Sequence, residues 1–498
     1  MEAVNAAPDL DAKAGSSGRE WVGRILILLL AAILRLALLD IRPPHFDEGV
    51  NGYIADQLSR EHLYRYHPEI GHGPLTFYFV RAGEELLGHS LWGLRISAVI
   101  FSLLAVGLCF RFDTIIGHRT ADLAALLMAL SPSMTFVGRT AIAESAFAFF
   151  VLLMLWGAAR LTVQPTFTAR LALVGGATGT LAVKEVAFLH YAAVLLAVGV
   201  VAAVKWRNGK MAPVMGRGVW QYLALLVVAL SLLWLLYSAG GRFPEAPRQL
   251  WQGLESWRLI GSGEHQKPWP YWLGLLLWDE PILFLGTLIL PWLSWQGSAP
   301  VRFLASYSLA VLLGYTTISY KTPWCLASLG VALPLAVASA WHAASPAWRG
   351  LGMGLAVLLL PSSLALNLRL NLWDHSAPRA SQVYVATSPD LGVLLRALEH
   401  HAAITPRGAE VRGKVFASEP HPLPWLLRGF PHIEYVQTAL PPSDYHSGFV
   451  VVEPSRLTEI ERQLHAKDYE RLPMRWRVDQ PPGAVFFHRH VFRESPAE

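Results

Sequence analysis

Two adjacent carboxylates, Asp47 and Glu48, follow directly on the first apolar stretch, in the run His45-Phe46-Asp47-Glu48-Gly49. Desolvation near lipid opposes a carboxylate's charge, so neighbouring acids at a membrane surface need a reason. One reason is chemical: a general base facing a membrane-level cavity, about 2.6–3.2 Å from the atom whose proton it removes. The other is structural: acids in the first turn of a helix sit at the positive end of its dipole. A third acid, Glu144, stands one turn into a later apolar run, after Gly138-Arg139-Thr140. A carboxylate within a span costs about 2.5–3.5 kcal/mol unless it faces protein or water. Glu144 is either the ion-pair partner of Arg139 or a second acid opposite Asp47, with Arg139 near an anionic group.

The cations and aromatics complete a possible site. Lys184-Glu185 and Tyr320-Lys321-Thr322-Pro323-Trp324 fall at turns between apolar runs, and a longer loop carries Gly263-Glu264-His265-Gln266-Lys267-Pro268-Trp269. Lysines at span ends often snorkel to the interface, but on the outer face they invert the usual charge bias, and a local anion explains them better. His72, between Gly71 and Gly73, is a further ligand candidate, since glycines let backbone approach a bound group closely. A phosphate needs cations, an acceptor hydroxyl needs a base, and a lipid tail needs an apolar groove. A lipid-phosphate sugar donor uses all three. Asp47, Glu48 and Glu144 also offer oxygen ligands for Mg²⁺ or Mn²⁺. Cations at the leaving group make a metal unnecessary, so no metal or cofactor is expected.

The elements that must position these groups are membrane spans. Of 498 residues, 53% are hydrophobic and only 15% charged, against about 25% charged in a soluble domain. A disordered or fibrous chain is excluded, a purely soluble enzyme is disfavoured, and nothing suggests a nucleic-acid partner. Cys109 and Cys325 lie within apolar runs and build neither a disulfide scaffold nor a metal site. Apolar runs at 21–39, 91–112, 119–137, 142–160, 168–183, 186–204, 219–239, 271–293, 303–319, 322–342 and 349–366 predict about 11 spans of roughly 20 residues each. Lys184-Glu185 divides a stretch too long for one helix. With the N-terminus inside, Arg111, Arg119, Arg160, Arg170, Lys205, Arg207, Lys210, Arg217, Arg302 and Arg349 fall on one face, the positive-inside pattern. The unusual residues collect on the other face, in outer loops 41–90 and 240–270 and at the turns.

Residues 1–20 read as a disordered cytoplasmic tail and 21–377 as the transmembrane domain. Beyond residue 378 the texture changes: Gln382–Ala386 and Gly448–Val452 read as strands, Asp390–His400 and Ser455–His465 as helices, Pro441-Pro442 and Pro481-Pro482 as loops. The expectation is a small extracytoplasmic α/β domain.

With these runs in place, the sequence resembles the GT-C superfamily of integral-membrane glycosyltransferases, which includes protein O-mannosyltransferases and the aminoarabinose transferase of lipid A. It is most similar to the flippase-activity-associated proteins of archaeal N-glycosylation. The matching runs are His45–Gly49, Tyr66-His67-Pro68 with His72-Gly73-Pro74, His265–Trp269, Lys321-Thr322-Pro323-Trp324 and Pro424-Trp425-Leu426-Leu427-Arg428. His67 and Leu427 depart from the family pattern, which has Asp and Tyr there. The resemblance implies a mainly α, polytopic GT-C fold and an inverting transfer from a polyprenyl-phosphate-linked sugar to a glycan, lipid or protein acceptor on the outer face. Asp47 matches the catalytic base and Glu144 the second acidic position, with Glu48 beside them. His72, Arg139, Lys184, His265, Lys267, Lys321 and Trp324 are the expected substrate contacts. The alternative is a protein that binds a lipid-linked glycan, or assists its flipping, without chemistry.

Overall fold

The computed structural model describes residues 18–70, 72–209, 218–260, 265–345, 358–436, 447–464 and 467–492. Most of the expected N-terminal tail, Gly71, the Pro441-Pro442 loop and the first half of the last expected span lie outside these residues. The chain forms two compact units. One comprises the residues up to Leu39 and Leu58–Trp373; the other comprises Asp40–Gln57 and the residues from Asp374 onward.

The first unit is helical. Among the described residues, five helices are long and apolar enough to cross a membrane: Leu91–Ile116, Glu144–Val163, Ala187–Arg207, Val219–Tyr237 and Cys325–Ala343. The helices His118–Leu130 and Pro132–Gly138 reach that length and apolarity only together, as a pair bent by 65°. Other expected spans are helical but do not reach that length and apolarity. The first, Gly18–Leu36, carries Arg19, Glu20, Arg24 and Arg35. The run at 168–183 forms a helix of 17 residues. The run at 271–293 breaks into Tyr271–Asp279, Pro281–Thr287 and Leu290–Gln296. Each of those two breaks follows from proline, which cannot donate within a helix.

The breaks satisfy one another. Helix ends leave backbone groups unpaired, and here the acid at one break caps the helix that starts at the other. Glu280 Oε1 accepts from Ser131 Oγ at 2.6 Å, from the Ser133 amide at 2.9 Å and from Ser133 Oγ at 2.5 Å. Asn367 Nδ2 donates to the Leu130 and Ser131 carbonyls and, at 2.7 Å, to Thr135 Oγ1.

The second unit is built on a sheet of β1 (Gly413–Phe416), β2 (Ile433–Val436), β3 (Phe449–Val452), β4 (Tyr469–Arg475) and β5 (Pro482–His488), in the order β2-β1-β3-β5-β4. Strands β2, β1 and β3 run parallel, and β5 is antiparallel to both neighbours. Alternate side chains leave opposite faces of a strand, so β3 feeds two cores. Phe449 and Val451 pack with Leu394 and Leu398 of the helix Leu391–Ile404; Val450 and Val452 pack with Ile460 of the helix Leu457–Gln463. Burying each such side chain stabilises by about 1.5–3 kcal/mol. The strand expected at 382–386 is not formed: Thr387 makes one isolated bridge to Arg477. Pro482, expected in a loop, begins β5.

Residues 41–90 are divided between the two units, because the start of the helix Phe46–Glu61 packs with the C-terminal residues. Gly49 and Gly52 leave room for that packing. A Cβ on Gly49 would overlap Pro422, and one on Gly52 would lie 2.6 Å from Trp425 Nε1.

Candidate functional site

The two adjacent acids separate in role at the first turn of the helix Phe46–Glu61. The His45 carbonyl accepts the first helical hydrogen bond, from the Gly49 amide at 3.0 Å, which makes His45 the capping residue. Glu48, three positions on and fully buried, reaches back to accept from the His45 amide at 2.8 Å. This is the return half of a capping box. Glu48 thus closes the first turn of its own helix. Asp47 is half-buried, and among the described residues its carboxylate has no hydrogen bond or ion pair.

Its surroundings come from distant sequence. The Arg477 guanidinium lies 4.8 Å over the Phe46 ring and donates to the His421 carbonyl at 3.0 Å. Burial pushes Arg477 down to about 10, against the carboxylates of Glu419, Asp47 and Asp479, which favour the charged form. The His421 ring meets Phe46 and Tyr53 edge-on, each at 5.7 Å, and its Nδ1 is buried with no hydrogen-bond partner among the described residues. Burial, and then Arg477, lower the His421 pKa against Asp47 and the Gly49 carbonyl, so this imidazole is neutral at pH 7.

In the helical unit, Glu144 and Lys184 meet because two consecutive helices form a hairpin. Glu144 opens the helix Glu144–Val163; Lys184 caps the end of the helix Phe167–Val183. An antiparallel pair puts those two ends together, and each charge suits its own helix terminus. Small residues hold the pair close, as membrane helix interfaces require. A Cβ on Gly157 would lie 2.6 Å from the Ala169 carbonyl oxygen, and one on Gly176 would lie 2.8 Å from that of Phe150. Lys184 Nζ donates to Glu144 Oε1 in a buried ion pair. An ammonium has three N–H donors, and the other two have no acceptor among the described residues; Glu144 Oε2 is likewise unpartnered.

Other expected residues gather at this turn. His72 and Lys184 form an antiparallel bridge, and the Gly73 amide donates to the Val183 carbonyl at 2.9 Å. His72 Nδ1 and Glu185 Oε2 are buried and have no hydrogen-bond partner among the described residues, while Glu185 Oε1 accepts from the Tyr66 hydroxyl at 2.8 Å. A second bridge joins Gln266 to Tyr320 and brings the other two lysines together. The Lys321 amide donates to the His265 carbonyl at 3.1 Å and the Lys267 amide to Ser319 at 3.1 Å. Lys321 Nζ reaches the Lys267 carbonyl at 3.3 Å and also the Ile318 carbonyl. His265 meets the Tyr320 ring at 5.3 Å, Trp324 is buried, and Trp269 is exposed.

Arg139 requires correction. Its guanidinium reaches backbone carbonyls: Nη1 donates to those of Leu34, Arg35 and Ala37, and Nη2 to that of Leu38 at 2.7 Å, while Glu144 pairs with Lys184. Its charge closes the carbonyl end of the first helix, where a cation is favoured. Sequence reasoning missed Arg477, His421 and Tyr384, whose carbonyl holds His45; no local pattern around them points to Asp47. Two of the three oxygen donors considered for a divalent cation are engaged, Glu48 by the His45 amide and Glu144 by Lys184.

Residues 71–237 match the family model for dolichyl-phosphate-mannose-protein mannosyltransferase. No curated protein matches the sequence. Among solved structures, apo ArnT from Cupriavidus metallidurans is similar at TM-score 0.67 and 15% identity, over 96% of this chain and 99% of that one. ArnT bound to undecaprenyl phosphate gives 0.68 at 15%, over 94% and 98%. The archaeal oligosaccharyltransferase AglB from Archaeoglobus fulgidus, in complex with an inhibitory peptide and a dolichol-phosphate, gives 0.53 at 11%, over 84% and 64%. At these identities the likeness is one of fold.

Proposed function

We propose that this chain, a member of the GT-C superfamily of integral-membrane glycosyltransferases related to aminoarabinose transferase and the O-mannosyltransferases, moves a sugar from a polyprenyl-phosphate donor to an acceptor hydroxyl with inversion at the anomeric carbon. Transfer takes place on the extracytoplasmic face, opposite the basic rim. Asp47 takes the proton of the acceptor hydroxyl as its oxygen attacks the anomeric carbon. The bond from that carbon to the phosphate oxygen breaks, and polyprenyl phosphate leaves with the electron pair. Lys184 faces the leaving phosphate, where charge develops, and fixed charge of this type is often the largest catalytic contribution. Glu144 keeps Lys184 in place. Lys321, Lys267, His72, His265 and Trp324 line the donor side.

The observation that carries this reading is Lys184, a buried ammonium with one of its N–H donors on Glu144 and, among the described residues, no acceptor for the other two. A buried charge demands partners, and a phosphate supplies them. No divalent cation is required, since lysine meets the leaving group. The test is transfer of radiolabelled sugar from a polyprenyl-phosphate donor by the purified protein in nanodiscs. Wild type transfers label at the same rate with and without EDTA, and Asp47→Asn does not transfer it. If wild type binds the lipid and releases it unchanged, the chain is instead a non-catalytic binder of lipid-linked glycans. Loss of transfer in EDTA, restored by Mg²⁺ or Mn²⁺, would overturn the metal-free mechanism.

A further inference from the structure

The base assigned above stands at the start of a short helix, where its direction depends on how the first turn is held. One residue makes four hydrogen bonds there. The His45 carbonyl accepts from Gly49 and its amide donates to Glu48. Its Nδ1 accepts from the amide of Asp47 itself at 3.1 Å. Its Nε2 meets the carbonyl of Tyr384 at 2.7 Å, 339 positions away. A carbonyl only accepts, so Nε2 carries the proton and Nδ1 is the bare acceptor. Serine or asparagine can cap a helix, but neither carries an acceptor and a donor on opposite edges of a rigid ring. Arg477 stacks over Phe46 in the same turn.

We propose that His45 is the positioning residue for Asp47: its neutral, Nε2-protonated imidazole ties the amide of the base to the Tyr384 carbonyl, so that the C-terminal residues set where the base points. The inference rests on the reading of Asp47 as the base and extends it to the domain after residue 373, which becomes part of the catalytic apparatus. A doubly protonated ring would turn an N–H toward the Asp47 amide and lose that bond. Burial, aided by Arg42, holds the ring neutral against Asp47, Glu48 and the Tyr384 carbonyl.

The test compares His45→Ala with His45→Asn, which keeps an acceptor for the Asp47 amide but cannot reach Tyr384. Both are made in the full chain in nanodiscs and normalised to folded, monodisperse protein. Misplacing a reacting group by about 1 Å costs up to about 100-fold. His45→Ala is expected to lose about tenfold or more in kcat, with KM for the donor and Kd for undecaprenyl phosphate within about twofold of wild type; His45→Asn recovers part of the loss. Should His45→Ala turn over at the wild-type rate, the positioning role is wrong. A fall in kcat matched by an equal fall in undecaprenyl phosphate binding makes His45 merely structural and also overturns it. If Asp47→Asn is as active as wild type, the assignment of the base has failed instead, whatever the His45 variants do.

Discussion

Lys184 and Arg139 are both basic residues at the ends of apolar helices, and their hydrogen bonds separate them. Arg139 donates to four carbonyls, whereas Lys184 donates to one carboxylate and, among the described residues, has no acceptor for its other two N–H groups. Lys184→Gln should therefore weaken undecaprenyl phosphate binding by about tenfold, roughly 1.4 kcal/mol, and lower turnover by about 10²–10³. A titration and a rate measurement check both. Arg139→Gln should instead lower stability by about 2–3 kcal/mol, from lost hydrogen bonds to a charged donor, with binding unchanged in protein that remains folded. Thermal unfolding in detergent, with and without the lipid, separates these outcomes. The residue types of this site were legible in the sequence. Their division of labour was not: Asp47 and Glu48 differ by one position, and only the cap geometry shows that Glu48 faces back into its own helix turn.

Among the elements, the hairpin of Glu144–Val163 and Phe167–Val183 creates the ion pair, and glycine makes the hairpin close. Gly176→Leu would drive a side chain into the backbone of Phe150 and Met154. Such overpacking costs about 1–3 kcal/mol, occasionally more. The variant should lose thermal stability and undecaprenyl phosphate binding together, since the helix ends that carry Glu144 and Lys184 separate. Apolar runs and the Lys184-Glu185 turn made this hairpin readable in the sequence. The partners that stabilise a break at Pro132 or Pro281 were less so, because they lie more than a hundred positions away. Of the strands, β3 was readable as the apolar run Gly448–Val452; β1 and β2 are four residues long, and β1, buried on both faces, shows no alternation.

For the molecule as a whole, the segment carrying Asp47 belongs to the same compact unit as the C-terminal sheet, a grouping that no local sequence pattern announces. That unit should be acid-sensitive. His45 and His421 are held below the ordinary histidine value of 6.5 chiefly by burial, so above 6.5 their contribution to stability is fully present. As pH falls below 6.5 the unfolded chain binds the extra protons first, and that stability is progressively lost. Unfolding followed by tryptophan fluorescence should show a lower midpoint at pH 5 than at pH 7.5, and His421→Gln should flatten the difference. Equal midpoints in wild type would contradict the buried, neutral histidines.

The proposed reaction is tested most directly by following the lipid itself. Mass spectrometry of the lipid fraction, sampled over time from nanodiscs holding the protein, a polyprenyl-phosphate sugar and a membrane extract as acceptor source, reports cleavage and transfer together. The account predicts one polyprenyl monophosphate released for each sugar gained by an acceptor, at a rate abolished by Asp47→Asn while that variant still binds undecaprenyl phosphate. Donor that stays intact in the presence of wild-type protein, or is consumed equally fast by Asp47→Asn, would contradict it.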